Sequence, residues 1–278
     1  QISFGKIAVM HCVWIGDMTD TIQMDYDRRF MGVSTLYGQQ NHDKFAKAIV
    51  YVIGVGGVGS WVAEGLARTA IGQIVLVDMD VLVESNINRQ LPALSQTLGE
   101  NKIEVMAERL RGINPRVQLD CIDEFLTVDN IKTILPNRAR VAALKAEGRA
   151  VIVLDCVDDM SAKLAIALHC RFNKIKCVIA GGAGAKIDPT RIGVADLRDT
   201  TQDPLLARLR SKLREKGIGT SHKEKFGLRC VYSDEPPKLT NNLCQTHLNC
   251  GGFGSAVVIT ATVGMLMVGE ALKIISTH

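Results

Sequence analysis

From residue 47 onward, short apolar runs alternate with amphipathic stretches. The runs Ala48-Ile49-Val50-Tyr51-Val52, Ile74-Val75-Leu76-Val77 and Val151-Ile152-Val153-Leu154 are rich in β-branched residues and too short for helices. Together with weaker runs they predict strands over 47–53, 73–78, 116–122, 150–155 and 176–180. Helical periodicity lies between them, over 57–70, 99–113, 128–135, 138–147 and 160–174, and the second of these stops at Asn114-Pro115, where a proline must end it. Strict alternation of strand and helix implies a parallel, doubly wound α/β sheet with right-handed crossovers. Residues 23–46 read as polar helix. The pattern changes after Gly181-Gly182-Ala183-Gly184. A short strand, 191–196, is followed by a basic helix, 203–216, opened by Asp203-Pro204. Loops over 217–252 surround one strand, 229–233, and an apolar helix, 253–275, returns to the core.

The chemistry begins where the first strand ends. Gly54, Gly56, Gly57 and Gly59 follow it directly and lead into a helix. Such a turn lets backbone amides approach a phosphate, and the helix N-terminus adds partial positive charge. Asp78 ends the second strand, where a carboxylate hydrogen-bonds a ribose hydroxyl. The pattern therefore predicts an adenine nucleotide bound on a Rossmann-like sheet. The loop Asp78-Met79-Asp80-Val81-Leu82-Val83-Glu84-Ser85-Asn86-Ile87-Asn88-Arg89-Gln90, then Lys102, then Asp155-Cys156-Val157-Asp158-Asp159, decides which nucleotide. Arg89 and Lys102 are cations within reach of phosphates at the glycine turn. Asn86 can bond ribose or phosphate oxygens, and Asp158, at a strand's carboxyl end, can hold Mg²⁺ against the phosphates. Hydride transfer needs no such set beyond the α-phosphate, so ATP is favoured over a nicotinamide dinucleotide. Each residue also has a plainer reading: Asp158 as a cap of helix 160–174, Asp159 as that cap in its place, Arg89 and Lys102 as surface cations.

The order GxGGxG, DxD, SNxxRQ, Lys and strand-end CxD over about 45–180 resembles the ThiF/MoeB-type ATP-dependent adenylating enzymes, relatives of ubiquitin-activating enzymes. The resemblance implies a ThiF/MoeB-type adenylation fold with a C-terminal extension packed on it. It also implies that Asp78 binds ribose, that Asp80, Asn86, Arg89, Gln90 and Lys102 surround ATP, and that Asp158 serves Mg²⁺ and the adenylation step. In that family an N-terminal arginine from the other subunit of a homodimer completes the γ-phosphate site, and Arg29 in Arg28-Arg29-Phe30 is similar to it. Further stretches, among them Leu36-Tyr37-Gly38, Gly59-Ser60-Trp61, Ile187-Asp188-Pro189-Thr190, Gln202-Asp203-Pro204-Leu205, Cys230-Val231-Tyr232-Ser233 and Gly252-Phe253-Gly254, are similar to the subfamily of tRNA threonylcarbamoyladenosine dehydratases. Residues 1–24 and 234–249 match it poorly, and Thr35 stands where an arginine is expected. The implied reaction is adenylation of the threonylcarbamoyl carboxylate on a tRNA adenosine, followed by ring closure with loss of AMP. The substrate is then tRNA carrying threonylcarbamoyladenosine, with room for a sulfur-transfer protein as partner.

Composition narrows this little. With 278 residues, 47% hydrophobic and 22% charged, the chain has the make-up of a folded soluble protein of one large domain or two small ones. The expected segmentation is an N-terminal helical part (1–46), an adenylation domain (47–200), a basic helix with loops (201–252) and a core helix (253–278), all in one compact domain. A net charge of +4 does not by itself mark a nucleic-acid binder. The local cluster Arg208, Arg210, Lys212, Arg214 and Lys216, with Lys223, Lys225 and Arg229 beyond, is therefore the candidate tRNA contact, its plainer reading being a solvated helix face. The eight cysteines include no CxxC pair, which argues for free thiols in a reducing, cytoplasmic setting and against structural zinc. Cys250 could serve as a nucleophile, although an intramolecular ring closure needs none. No secretory signal is readable in 1–22, and the apolar tail helix reads as a core helix before it reads as a membrane span. Activation of a ubiquitin-like or sulfur-carrier protein, nicotinamide chemistry and a non-catalytic nucleotide module are the competing readings.

Overall fold

The computed structural model describes residues 25–221, 224–238 and 254–278. Chain order is α1 (Tyr26–Tyr37), α2 (Gln39–Lys47), β1 (Ile49–Ile53), α3 (Gly59–Arg68), β2 (Gln73–Val77), α4 (Lys102–Ile113), β3 (Gln118–Ile122), α5 (Ile131–Ile134), α6 (Arg138–Ala146), β4 (Val151–Asp155), α7 (Met160–Asn173), β5 (Lys176–Ala180), β6 (Ile192–Asp196), α8 (Pro204–Glu215), β7 (Arg229–Ser233) and α9 (Val257–Ser276). The seven strands form one sheet in the order β3-β2-β1-β4-β5-β7-β6. All neighbours are parallel except β6, which runs antiparallel to β7 at the edge.

The sheet is mostly parallel because helices cover both faces, and its inner strands are apolar on both sides for the same reason. β4 is buried along its whole length, and β1 is buried except at Tyr51. One face carries α3, α4 and α9 over a cluster that includes Val50, Val52, Leu66, Ile152, Val263 and Met267. The other face carries α6, α7 and α8 over Ile53, Val153, Ile166, Leu206, Leu209 and Leu213. β1 pairs with both β2 and β4 in a register that aligns Ile53 with Val77 and with Asp155. Three chain segments that carry candidate chemistry therefore leave the sheet at one level, where such sheets bind ligands.

Several expected elements are shorter in the structure. The polar helix of 23–46 is two helices, broken at Gly38, whose φ of +81° suits glycine. The helix expected over 128–135 shrinks to α5, because Asn130 spends its side chain on the Thr127 amide and hydroxyl in a local turn. α3 starts two residues later than expected, the glycine turn occupying Gly57 and Val58.

α9 is long and apolar enough to cross a bilayer by length and composition, with a mean hydropathy of 1.8. It is instead a core helix, packed along α3 and against β5, β6 and β7. Close approach is made possible by two glycines facing opposite helices. A Cβ on Gly264 would meet Trp61 Cβ and Val58 O at 2.9 Å, and one on Gly65 would meet Val268 Cγ2 at 2.9 Å. A methyl at Gly264 must therefore push α9 off α3. Gly264→Ala is expected to cost about 1–3 kcal/mol, as overpacked core sites do, read as a lower urea midpoint with an unchanged m-value.

Candidate active site

The turn after β1 is bare by necessity. Gly54 has φ +85°, and a Cβ there would lie 3.2 Å from Cys156 O and Val157 Cγ1. A Cβ on Gly59 would collide with the Gly54 carbonyl. One on Gly57 would meet Thr260 Cγ2 at 3.2 Å and the Arg89 stem at 3.3 Å, and one on Gly56 would point at Gln90 Nε2, 3.9 Å away. No side chain caps the N-terminus of α3. The Ser60 amide donates back to Gly56 O at 3.1 Å, and the Gly59 and Trp61 amides are left for an anion.

Asp78 is buried and does more than wait for a ribose. Its Oδ2 accepts the Val55 amide at 2.6 Å and its Oδ1 the Asp80 amide at 2.9 Å, so it ties the glycine turn to the end of β2. A carboxylate has about four acceptor positions, so two bonds leave capacity for a ribose hydroxyl. Lys102 opens α4, is buried, and forms a 2.7 Å ion pair with the half-exposed Asp80. Asn86 turns inward: its Oδ1 accepts the Val83 amide at 3.2 Å and fixes a 3-10 turn, Glu84–Asn86. The sequence placed Asn86 on ribose or phosphate, and in the structure its carbonyl oxygen shapes the loop.

Arg89 follows that turn. Its Nη1 donates to Ser85 O at 2.6 Å and Asn88 Oδ1 at 3.0 Å, its stem lies over Gly57, and its Nε and Nη2 meet no acceptor among the described residues. The Arg89 carbonyl accepts from Trp61 Nε1 at 3.1 Å. Gln90 is buried, yet its Oε1 has no hydrogen-bond partner. An unpaired buried acceptor is costly, and here it lies beside the glycine turn, as a ligand donor would require. Asp158 is exposed and unpaired among the described residues. Its neighbour Asp159 takes the capping role, accepting the Ala162 amide at 2.8 Å, which leaves the Asp158 carboxylate available. Magnesium sites use one or two carboxylates with substrate phosphates, so a single free Asp158 beside a phosphate cradle suits that ion. No cluster of three His, Cys, Asp or Glu residues able to hold a metal occurs among the described residues.

Arg29 lies elsewhere. Its Nη1 donates to Gly112 O at 3.1 Å and Ile113 O at 2.8 Å, capping the C-terminus of α4. Lys102 begins the same helix, so about 16 Å separates the two along its axis. Two cations of the basic helix are also structural. Arg210 Nη1 bonds Leu197 O, Thr200 O and Thr200 Oγ1, while Arg214 donates to Gly219 O and stands over the Phe226 ring. Arg208 and Lys216 are exposed and Lys212 half-buried. Cys250 lies outside the described residues. Desolvation of Cys156, beside the glycine turn, pushes its thiol far above the usual range and so disfavours the nucleophilic thiolate.

The sequence did not point to three contributors. Thr260 of α9 packs on Gly57 and reaches the Arg89 carbonyl at 3.4 Å. Asn88 Nδ2 donates to Ser255 O at 2.8 Å, bringing the approach to α9 onto the nucleotide loop. Asp203, read as a helix cap, also accepts the Gly182 amide at 2.9 Å and so holds the glycine pair after β5. Burial raises the Asp203 pKa, opposed by those amides and by Lys186 and Lys163.

The fold with this constellation is that of an ATP-dependent enzyme of the adenylating type. The chain belongs to the ThiF family, whose model matches residues 26–278. It is 42% identical to the tRNA threonylcarbamoyladenosine dehydratase of Escherichia coli over 269 residues, 92% of this chain and 96% of that one. The same identity holds to the Haemophilus influenzae dehydratase over 255 residues, 89% and 93% of the two chains. The crystal structure of the E. coli enzyme TcdA in complex with ATP matches with a TM-score of 0.78 at 43% identity, covering 90% of this chain and 95% of that one.

If Arg89 and Lys102 grip phosphates, removing either should weaken ATP binding without unfolding the chain. Each alanine variant is expected to lose about 1.5–3 kcal/mol of ATP affinity, roughly ten- to hundredfold, by calorimetric titration, with a melting temperature close to that of the parent. ATP affinity unchanged in both would remove them from the site.

Proposed function

We propose that this chain catalyses the ATP-dependent dehydration of threonylcarbamoyladenosine in tRNA through an acyl-adenylate. The observation that carries the reading is the convergence of the bare glycine turn, Arg89, Lys102 and the unpaired Asp158 at the carboxyl ends of β1, β2 and β4. It is supported by 42% identity along nearly the whole chain to dehydratases of that name, one of them seen with ATP.

A carboxylate is a poor electrophile, and adenylation gives it a good leaving group. The substrate carboxylate attacks the α-phosphorus, pyrophosphate departs, and a nucleophile already attached to the substrate displaces AMP. Net loss of water follows, because the carboxylate oxygen leaves on AMP and the attacking group gives up its proton. High effective molarity makes a catalytic nucleophile unnecessary. The amides of the glycine turn and the N-terminus of α3 receive the phosphates. Arg89 contributes free donors, and Lys102 neutralises charge by exchanging Asp80 for phosphate oxygen. Asp78, with its remaining lone pairs, takes the ribose, and Asp80, Asn86 and Gln90 line the nucleotide. Asp158 would hold Mg²⁺, which supplies charge neutralisation at the departing pyrophosphate.

The reading assigns the four expected segments separate work: 47–200 binds and activates ATP, 201–252 meets tRNA, 1–46 reaches a second copy, and 253–278 braces the sheet. Arg29 acts on phosphates only across a homodimer, since within one chain it caps the far end of α4. The described cysteines are free thiols, which fits the cytoplasm.

Two experiments test this. Modified tRNA incubated with protein, ATP and Mg²⁺ should lose one water, about 18 Da in the modified nucleoside, with stoichiometric AMP; activation of a sulfur-carrier protein C-terminus instead would overturn the assignment. Replacing Arg208, Lys212 and Lys216 by alanine should weaken tRNA binding and lower its logarithmic salt slope by up to about 3, while ATP affinity stays constant. A salt slope equal to that of the parent would remove the basic helix from the tRNA interface.

A further inference from the structure

Asp155 and Lys163 form a completely buried ion pair, Nζ to Oδ2 at 2.9 Å. Asp155 ends β4 and Lys163 lies in the second turn of α7. The ammonium also donates to Ala180 O, the last carbonyl of β5, at 3.1 Å. The other carboxylate oxygen, Oδ1, accepts the Val157 amide at 3.2 Å. One lysine thus joins the ends of two neighbouring strands just where β4 gives way to the segment carrying Asp158 and β5 to a glycine pair. β4 continues into Val157 and Asp158, and β5 into Gly181 and Gly182. Asp155 is also in register with Ile53, the residue before the glycine turn.

Stability does not explain the pair. Desolvating two charges costs about as much as their attraction returns, and apolar replacement of a buried pair is often neutral or stabilising. What an apolar pair cannot do is fix directions. The Asp155 carboxylate sets the bend through the Val157 amide, and the ammonium sets the distance between strand ends. Both face away from solvent, so neither touches the nucleotide.

We infer that Lys163 is a positioning residue for adenylation: acting through Asp155 and Ala180, it holds the Asp158 carboxylate and the Gly181-Gly182 turn in the arrangement that the reaction needs. The inference rests on the adenylation reading above. It goes beyond it by assigning work to a residue with no access to substrate.

The test uses the full chain with threonylcarbamoyladenosine-bearing tRNA. The double variant Asp155→Asn/Lys163→Met removes both charges and keeps the volumes. It is expected to melt within a few degrees of the parent and to bind ATP within threefold. Its kcat for AMP release should fall at least tenfold, and the Val157 amide should exchange faster with deuterium. Should that variant fail to fold, Lys163→Arg carries the test, because it keeps the charge but moves the donors; its kcat should fall severalfold at constant KM for ATP. Parental kcat in a folded variant, or unchanged Val157 exchange, overturns the inference. A parent that binds ATP but releases no AMP with this tRNA instead overturns the functional reading, and the Val157 exchange then decides the positioning claim independently.

Discussion

The site depends on the bond between the Asp78 carboxylate and the Val55 amide. A phosphate-binding turn must be stripped of side chains so that backbone can approach the ligand, and a stripped turn has little to hold it. Here a carboxylate from the end of β2 reaches across to the turn after β1 at 2.6 Å and pins it from below. The turn is clamped from the other sides by backbone: Gly59 sits against the Gly54 carbonyl, and Gly54 against Cys156 O. Preorganisation of this kind places donors where charge will develop without a reorganisation cost at the moment of reaction.

Around that turn the charges are arranged in two ranks. Arg89, Lys102 and Asp158 are exposed to the cleft or paired with a partner that can be exchanged. Asp155, Lys163 and Asp203 sit behind them, buried, and bond mainly to backbone at strand ends. On the proposed reading the front rank meets ligand and the rear rank fixes the geometry of the front. The same separation of tasks occurs on α8, where Leu206, Leu209 and Leu213 face the core and Arg210 and Arg214 are spent on nearby carbonyls. Arg208 and Lys216 are left to solvent, and Lys212 is half-buried. Lys216 stands about 20 Å along α8 from the Asp203 cap that holds the glycine pair after β5.

Much of this was legible in the chain itself. Strand and helix alternation gave the parallel sheet, and the glycines with Asp78, Arg89, Lys102 and Asp158 gave the candidate site, because the sheet brings the ends of β1, β2 and β4 to one level. The family resemblance extended that reading to a reaction. Long-range placement was not legible. Nothing in Thr260 or Ser255 announces contact with a loop some 170 residues earlier; only the packing of α9 on α3 through Gly264 and Gly65 creates it. Nor does Asn86 declare that its side chain turns inward, since the same amide suits a ligand and a turn. Lys163 is one of many lysines on a helix until β5 is placed beside β4. Arg29 shows the reverse case, a motif residue whose position within a single chain is remote from the phosphates.

One residue ties distant parts of the chain together. Ala185, held at φ +60°, donates its amide to Gly254 O at 2.8 Å and accepts the Lys238 amide at 2.9 Å. Two positions sixteen residues apart in sequence, Lys238 and Gly254, are thereby fastened to a single residue. The entropy of closing the stretch between them grows only slowly with its length, about 0.6 kcal/mol for each doubling. Evolution can therefore lengthen, shorten or rewrite it with small thermodynamic consequence, while the phosphate grip and the strand order stay as they are.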